Sequence, residues 1–379
     1  MKFFRLLIIN VLVLLSLLLL LEGGLRLLTA APEGKYRGFF AGQLGLYPEN
    51  SRLPMLGVTN WVVKTNRWGF RGSDVAREKT PGVQRIAMVG DSVTDGFYVE
   101  NEDTYPAYLE RDLREAGASV EVINTAHGGS TINRQLAILR DVVTPFVPDT
   151  VVLTFVTNDI CGLDEVTDDH LLNEPADLEP RGRQLLRALF VHTAAGEWIL
   201  DNTLRYISPA FAEAQDRQGA LPDLPADRYR IEGGEQFAAN SALFLQRYAN
   251  KVGQILHDTF APSVQHNVTR YLLAWDRFMA HAREHGMQPV FVYFPAYPQV
   301  YDVTVSMKVR DLLQQHAEAA GVPFLDLTPA LRQQGTTVLH LAPKDYHLNP
   351  QGNQVIARAL ADFLLQHGQV KPAVVPTSP

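Results

Sequence analysis

Four short polar segments of this chain hold the residue types that acyl transfer needs, and each stands beside an apolar run or a helical pattern. Gly90-Asp91-Ser92 follows RIAMV, NTAHGGS runs from Asn124 to Ser130, Thr157-Asn158-Asp159 follows TVVLTFV, and Asp345-Tyr346-His347 precedes the last helical pattern. A serine hydroxyl is too weakly acidic to attack an ester unaided, so a neutral imidazole must take its proton. His347 is the candidate base, Ser92 the nucleophile, and Asp345 the carboxylate that fixes the other ring nitrogen and stabilises the imidazolium. The oxyanion needs donors, which the N–H of Ser92, the N–H of Gly129 and the amide of Asn158 could supply at about 3 kcal/mol each in the transition state. Taken singly the segments say less: Gly, Asp and Ser are common turn residues, Asn158-Asp159 could end a strand, and His347 could open a helix. Asp95 reads as a turn residue, His127 as a packing or pocket-lining residue, and Cys161 as buried.

Residues so far apart need a sheet to gather them. Apolar or β-branched runs at 85–89, 120–124, 150–156, 289–294 and 323–327 read as strands, with spacing that implies crossover helices between parallel neighbours. Helical patterns cover 104–116, 268–284 and 307–320, and a last helix has Asn349 as its cap and Pro350 at its first position. The expected fold is α/β, a three-layer α/β/α sandwich on a mainly parallel five-stranded sheet. In such sheets ligands lie outside the carboxyl ends of the strands, where three of the four segments fall and the fourth stands before the last helix. A largely helical insertion occupies about 162–267; within it 237–256 reads as one amphipathic helix with Leu243, Phe244, Tyr248, Val252 and Leu256 inward. It could cap the site, present a partner surface or be decoration.

The segments GDSVTDG, NTAHGGS, VTND and DYHLNPQG resemble, in this order, the conserved blocks of the SGNH (GDSL-type) hydrolase superfamily, over roughly residues 85–367 with the insertion left out. The resemblance implies a flavodoxin-like fold and hydrolysis or transfer of acyl groups. It implies Ser92 as nucleophile, Gly129 and Asn158 as oxyanion donors, and His347 with Asp345 as base and partner. Two departures stand out: the family's third block usually has glycine where this chain has Val156, and its last block often has two residues between Asp and His rather than one. If the shorter spacing prevents bonding, His347 relies on a backbone carbonyl and Asp345 only shapes the turn. The lead-in TNRWGFRG is similar to that of membrane-anchored bacterial members, some associated with envelope or exported polysaccharides.

Composition narrows the alternatives. The 379 residues carry a formal charge of −7, which lacks the basic excess that nucleic-acid binding requires. One cysteine excludes an internal disulfide and a Cys-rich zinc site, and no metal-ligand or phosphate-loop spacing is present, so no cofactor or metal is expected. Residues 1–31 begin with Lys2 and Arg5 before an apolar run broken only by Asn10 and Ser16, which reads as an export signal, retained as a membrane anchor or cleaved. Everything after it would then be extracytoplasmic, periplasmic, cell-surface or secreted. Residues 32–82 read as linker and lead-in, with Trp68 buried in a surface loop or packed beside the site. Residues 83–368 read as the hydrolase domain and 369–379 as a disordered tail. The expected substrate is a carboxylic ester, an O-acetyl or short acyl group on an envelope or exported glycan. Transfer to a polysaccharide hydroxyl and a catalytically silent carbohydrate-binding protein are the alternatives. Oligomeric state has no signature in the chain.

Overall fold

The computed structural model describes residues 2–28, 46–55, 59–164, 169–173, 193–196, 198–199, 237–249, 252–335, 337, 339–341 and 345–372. It forms two compact units, one of Met1–Pro48 and Asp177–Asp223, the other of Glu49–Ala176 and Leu224–Pro379. In the first unit a continuous helix spans Lys2–Leu28. Within that unit Glu22 accepts the backbone N–H groups of Ala194 and Ala195 at 3.1 and 2.9 Å and pairs with Arg26, one turn on. Among the described residues no helix is long and apolar enough to cross a membrane, and several side chains of Lys2–Leu28 lie outside the described set.

The second unit is built on a five-stranded sheet of β3 (Gln84–Val89), β4 (Val120–Asn124), β5 (Thr150–Phe155), β6 (Gln288–Tyr293) and β7 (Phe324–Asp326), in the order β4-β3-β5-β6-β7 with every pairing parallel. These are the five expected strands with no end moved by more than one residue. Residues alternate between faces along each strand. Ile86, Met88, Val152, Val290 and Val292 belong to a core shared with the helices Tyr105–Glu115 and Pro350–Gln366. On the other face Phe291 and Phe155 meet Trp275 and Tyr271 of the helix Pro262–Glu284, with ring centroids 5.4 Å apart in each pair. Both faces are therefore covered by helices, as a parallel sheet with apolar residues on both sides requires. The strand order reverses at β3, with β4 on one side and β5 on the other, which opens a crevice at their carboxyl ends.

Several expectations needed revision. The helix Pro262–Glu284 starts six residues before the expected one, since Pro262 suits a first helical position. The expected helix over 237–256 divides: Phe237–Arg247 is helical, and a 3₁₀ turn follows at Val252–Leu256. The break comes where the Gly253 N–H reaches the Tyr248 carbonyl at 2.9 Å. Leu243, expected inward, is 48 % exposed. The lead-in is structured: β1 (Arg52–Met55) and β2 (Trp61–Lys64) pair antiparallel and belong to the same compact unit as the large sheet. Trp68 is half-buried, its indole N–H donating to the Val75 carbonyl at 2.8 Å. Residues 369–372 are ordered by the Lys371 N–H on the Gln84 side chain at 2.9 Å and a bridge from Pro372 to Ala118. The rest of the expected tail, and most of 174–236, lie outside the described residues.

The last helix is entered as its sequence suggests, Asn349 accepting the Gly352 N–H at 2.9 Å. Just before it, residues 339–341 run beside 347–349: the Leu341 N–H donates to the His347 carbonyl and the Asn349 N–H to the Leu339 carbonyl, both at 2.9 Å. His340 in this pair is 1 % exposed, with Nδ1 3.0 Å from the Tyr301 hydroxyl and no partner for Nε2. Burial, with a smaller repulsion from His347 that outweighs Asp345, pushes its pKa down to about 3. An unfolded chain protonates this imidazole near pH 6.5 and the folded one does not, so its contribution is intact above that pH and lost as pH falls towards 3, at about 1.4 kcal/mol per pH unit. His340→Gln should therefore flatten the loss of stability between pH 6.5 and 4 by roughly one proton's worth in urea unfolding. Parallel stability curves for the two proteins would assign the acid limb to other groups.

Candidate active site

Ser92 opens a one-turn helix, Ser92–Asp95, directly after β3, so its side chain stands at the reversal of strand order. His347 comes from the loop before the last helix, and its Nε2 lies 2.8 Å from Ser92 Oγ. Its Nδ1 contacts Asp345 Oδ1, which also accepts the His347 backbone N–H at 2.8 Å. A single intervening residue is thus enough: the chain turns so tightly that one carboxylate oxygen meets both the ring and the backbone of the residue two places on. An Nδ1–H directed at a carboxylate leaves the Nε2 lone pair for the serine proton. Burial raises the Asp345 pKa, but the His347 ring and the N–H groups of His347 and Tyr346 bring it below the ordinary carboxylate value. Asp345 is thus favoured in its ionised form, as a carboxylate partner for a His347 base would have to be.

Gly129 and Asn158 arrive at the same rim from β4 and β5, and what they bond is Asp91, the neighbour of the nucleophile. The Gly129 N–H and the Asn158 amide both donate to the Asp91 carboxylate, which also accepts the Ser130 N–H at 3.1 Å. Asp91 is 0 % exposed. Burial pushes its pKa up against the pull of those donors, the Ser92 N–H and His347. A backbone amide has one hydrogen and a side-chain amide two. In this arrangement the Asn158 amide keeps an N–H for an oxyanion, whereas the Gly129 N–H must leave Asp91 to serve as one. Beneath lies a second buried carboxylate, Asp159, accepting Gln135 Nε2 and the Val156 N–H at 2.9 Å each. Burial and the nearby Asp91 charge raise its pKa well above the usual range.

The turn carrying Gly129 (φ 74°) depends on its two glycines for different reasons. Gly129 needs the left-handed region that residues with a Cβ avoid. A Cβ on Gly128 would lie 2.2 Å from the Phe97 ring, so that position needs the space instead. The Gly128 N–H donates to Asp95 Oδ2 at 3.1 Å, which makes Asp95 a buried anchor of this loop rather than a plain turn residue. Arg71 completes the support: its buried guanidinium donates to the carbonyls of Asp95 at 2.8 Å, Gly96 at 2.6 Å and Val99, and to Asn101 Oδ1 at 2.9 Å. Sequence reasoning missed Asp91, Asp95 and Arg71 in these roles. The pair of arginines between glycines in TNRWGFRG was the only signal for the last. His127 keeps a local role, with Nδ1 3.0 Å from the Gly128 carbonyl. Cys161 is half-buried rather than buried.

Beside Ser92 lies a cavity of about 230 Å³ whose walls include Val93, Val156, Phe294, Phe244, Tyr248 and Tyr346. Phe244 and Tyr248 come from the insertion, which thus forms part of the site. Among the described residues no group of three or more His, Cys, Asp or Glu side chains could hold a metal ion.

The model of the GDSL-like lipase/acylhydrolase family matches residues 88–355. An arylesterase of Vibrio mimicus is 32 % identical over 76 residues, 20 % of this chain. The chain spans only 38 % of the length of that curated relative. Among solved structures, a lipase/acylhydrolase from Enterococcus faecalis aligns with a TM-score of 0.40 at 15 % identity, over 77 % of this chain and 100 % of the other. A catalytic mutant of an acetylxylan esterase from Geobacillus stearothermophilus aligns with a TM-score of 0.38 at 13 % identity, over 74 % and 94 %.

Asp345→Asn keeps the shape of the turn but cannot hold the same tautomer or stabilise an imidazolium. The rate at which a fluorophosphonate labels Ser92 should fall on the order of 10⁴-fold in this variant, as in other Ser-His-Asp sites. A loss under tenfold would reduce Asp345 to a turn-forming residue.

Proposed function

Because the chain belongs to the GDSL-like lipase/acylhydrolase family, we propose that it hydrolyses a carboxylic ester through an acyl-enzyme on Ser92. The observation that carries this is the 2.8 Å contact between His347 Nε2 and Ser92 Oγ, with Asp345 on the far side of the ring. Ser92 Oγ attacks the ester carbonyl carbon while its proton passes to His347 Nε2. The tetrahedral oxyanion takes a hydrogen bond from the free N–H of Asn158, and from the N–H groups of Ser92 and Gly129 once these leave Asp91. Collapse expels the alcohol, which carries off the proton from His347. Water, deprotonated by the same imidazole, then releases the acid and restores Ser92.

The cavity supports a small apolar acyl group. At about 230 Å³ it is below the ~300 Å³ at which drug-sized sites begin, and its walls are mostly aliphatic and aromatic. An O-acetyl or short acyl ester of an envelope or exported glycan is the substrate class we favour. The membrane location rests on the amino-terminal sequence: an apolar run preceded by Lys2 and Arg5, continuous as a helix over Lys2–Leu28, with Leu6, Val13, Leu17, Leu19 and Leu20 exposed. Such a leucine surface is stable when covered by acyl chains.

Purified protein should hydrolyse p-nitrophenyl acetate and butyrate faster than the octanoate, and Ser92→Ala should abolish all three activities. Phe244→Ala removes one wall of the cavity and should raise kcat/KM for octanoate relative to acetate by roughly tenfold. Equal rates with and without the Ser92 hydroxyl would sink the esterase reading; an unchanged chain-length profile in Phe244→Ala would remove the insertion from substrate selection.

A further inference from the structure

The catalytic imidazole is packed against two aromatic residues. Phe97 stacks on the His347 ring with centroids 5.7 Å apart at 26°, and Tyr98 meets it edge-on at 5.3 Å and 77°. Both follow the short helix that starts at the nucleophile, and the Phe97 N–H donates to the Ser92 carbonyl at 3.0 Å. Phe97 also occupies the space that Gly128 leaves open, so one ring touches both the base and the loop that carries Gly129. Tyr98 has φ 68°, a left-handed conformation that a residue with a Cβ keeps only where its surroundings hold it.

What holds it is the lead-in. The Thr59 hydroxyl donates to the Tyr98 carbonyl at 2.6 Å. Trp61, 3 % exposed on β2, packs edge-on against Tyr98 at 4.8 Å and against Phe97 at 5.9 Å. The Val62 N–H then donates to the Glu100 side chain at 3.3 Å, and Lys64 N–H to that of Asn101 at 3.1 Å, so β2 tracks the segment 98–101 along its length. All of β1 and β2 precede the residues matched by the family, which begin at 88. The brace therefore lies outside the residues that the family matches.

We propose that Thr59 and Trp61 are positioning residues for His347: through Tyr98 and Phe97 they fix the imidazole plane that accepts the Ser92 proton. The strand pair β1–β2 is in this view part of the active site, although no atom of it touches Ser92 or His347 in the contacts above. The inference rests on the esterase reading for its kinetic consequences but not for its structural one.

The test combines kinetics with an NMR readout of the imidazole that needs no substrate. Trp61→Ala should lower kcat for p-nitrophenyl acetate about tenfold or more with KM within about twofold, because the ring moves the base and not the acyl cavity. Losing the ring behind Tyr98 lets Tyr98 and Phe97 turn against the imidazole, so the NMR signals of the His347 ring protons, which sense the two adjacent rings, should move from their wild-type positions. Trp61→Phe, which keeps a ring on Tyr98, should recover most of both effects. Should Trp61→Ala fail to fold, Thr59→Val removes only the hydroxyl contact and should lower kcat severalfold in the same pattern. Folded variants with wild-type kcat and unmoved His347 ring signals would overturn the proposal. So would a rise in KM alone. An inactive wild type whose His347 ring signals still move in Trp61→Ala would overturn the esterase reading and leave the brace standing.

Discussion

A buried carboxylate must gather donors, and Asp91 draws them to one point where three adjacent strands of the sheet end. It sits at the end of β3 and accepts hydrogen bonds from Gly129 and Ser130 after β4 and from Asn158 after β5. With no solvent to share the charge, those contacts hold three loops at one point. Ser92 is the next residue, so the geometry of the nucleophile follows from where Asp91 is satisfied. The same arrangement explains why the candidate oxyanion donors are together before any substrate arrives, and why they are engaged with Asp91 within the protein.

The fourth contributor has its own tether. His347 stands on a loop whose backbone pairs with residues 339–341 and whose end is capped by Asn349. The Tyr105 N–H donates to Asn353 Oδ1 at 3.1 Å, tying the last helix to the helix that follows the nucleophile. Below it the Tyr105 hydroxyl joins Thr94 Oγ1 at 2.9 Å and Thr154 Oγ1 at 2.8 Å, which links the nucleophile's short helix to β5. Rigid elements on both sides thus set the Ser92–His347 distance, and Phe97 and Tyr98 pack on the imidazole with Trp61 and Arg71, from before β3, supporting their segment.

The five strands were legible because apolar runs bounded by polar turns have a short period and a definite end. Ser92, Gly129, Asn158, Asp345 and His347 were legible because their types and order match the needs of acyl transfer. The helix over 237–256 was misread at Gly253, where a stripe of apolar residues continues in sequence through a turn that the backbone closes. The lead-in was misread for a different reason. Its glycines, arginines and aromatics have no periodicity, since residues such as Thr59, Trp61 and Arg71 make contacts with segments 24 to 39 residues later instead of with a repeating face.

By itself the sequence determined the strands, the helices with clear caps, and the residues able to serve as nucleophile, base and amide donor, because local pattern and side-chain chemistry are properties of the chain. Only the tertiary structure decided that Asp345 reaches His347 across one residue, that Asp91 engages the Gly129 N–H, and that β2 stands behind the catalytic imidazole. These outcomes depend on which buried polar groups and rings must share one small volume. Hydrogen-bond and packing demands of that kind are met between distant segments, so no local pattern records them.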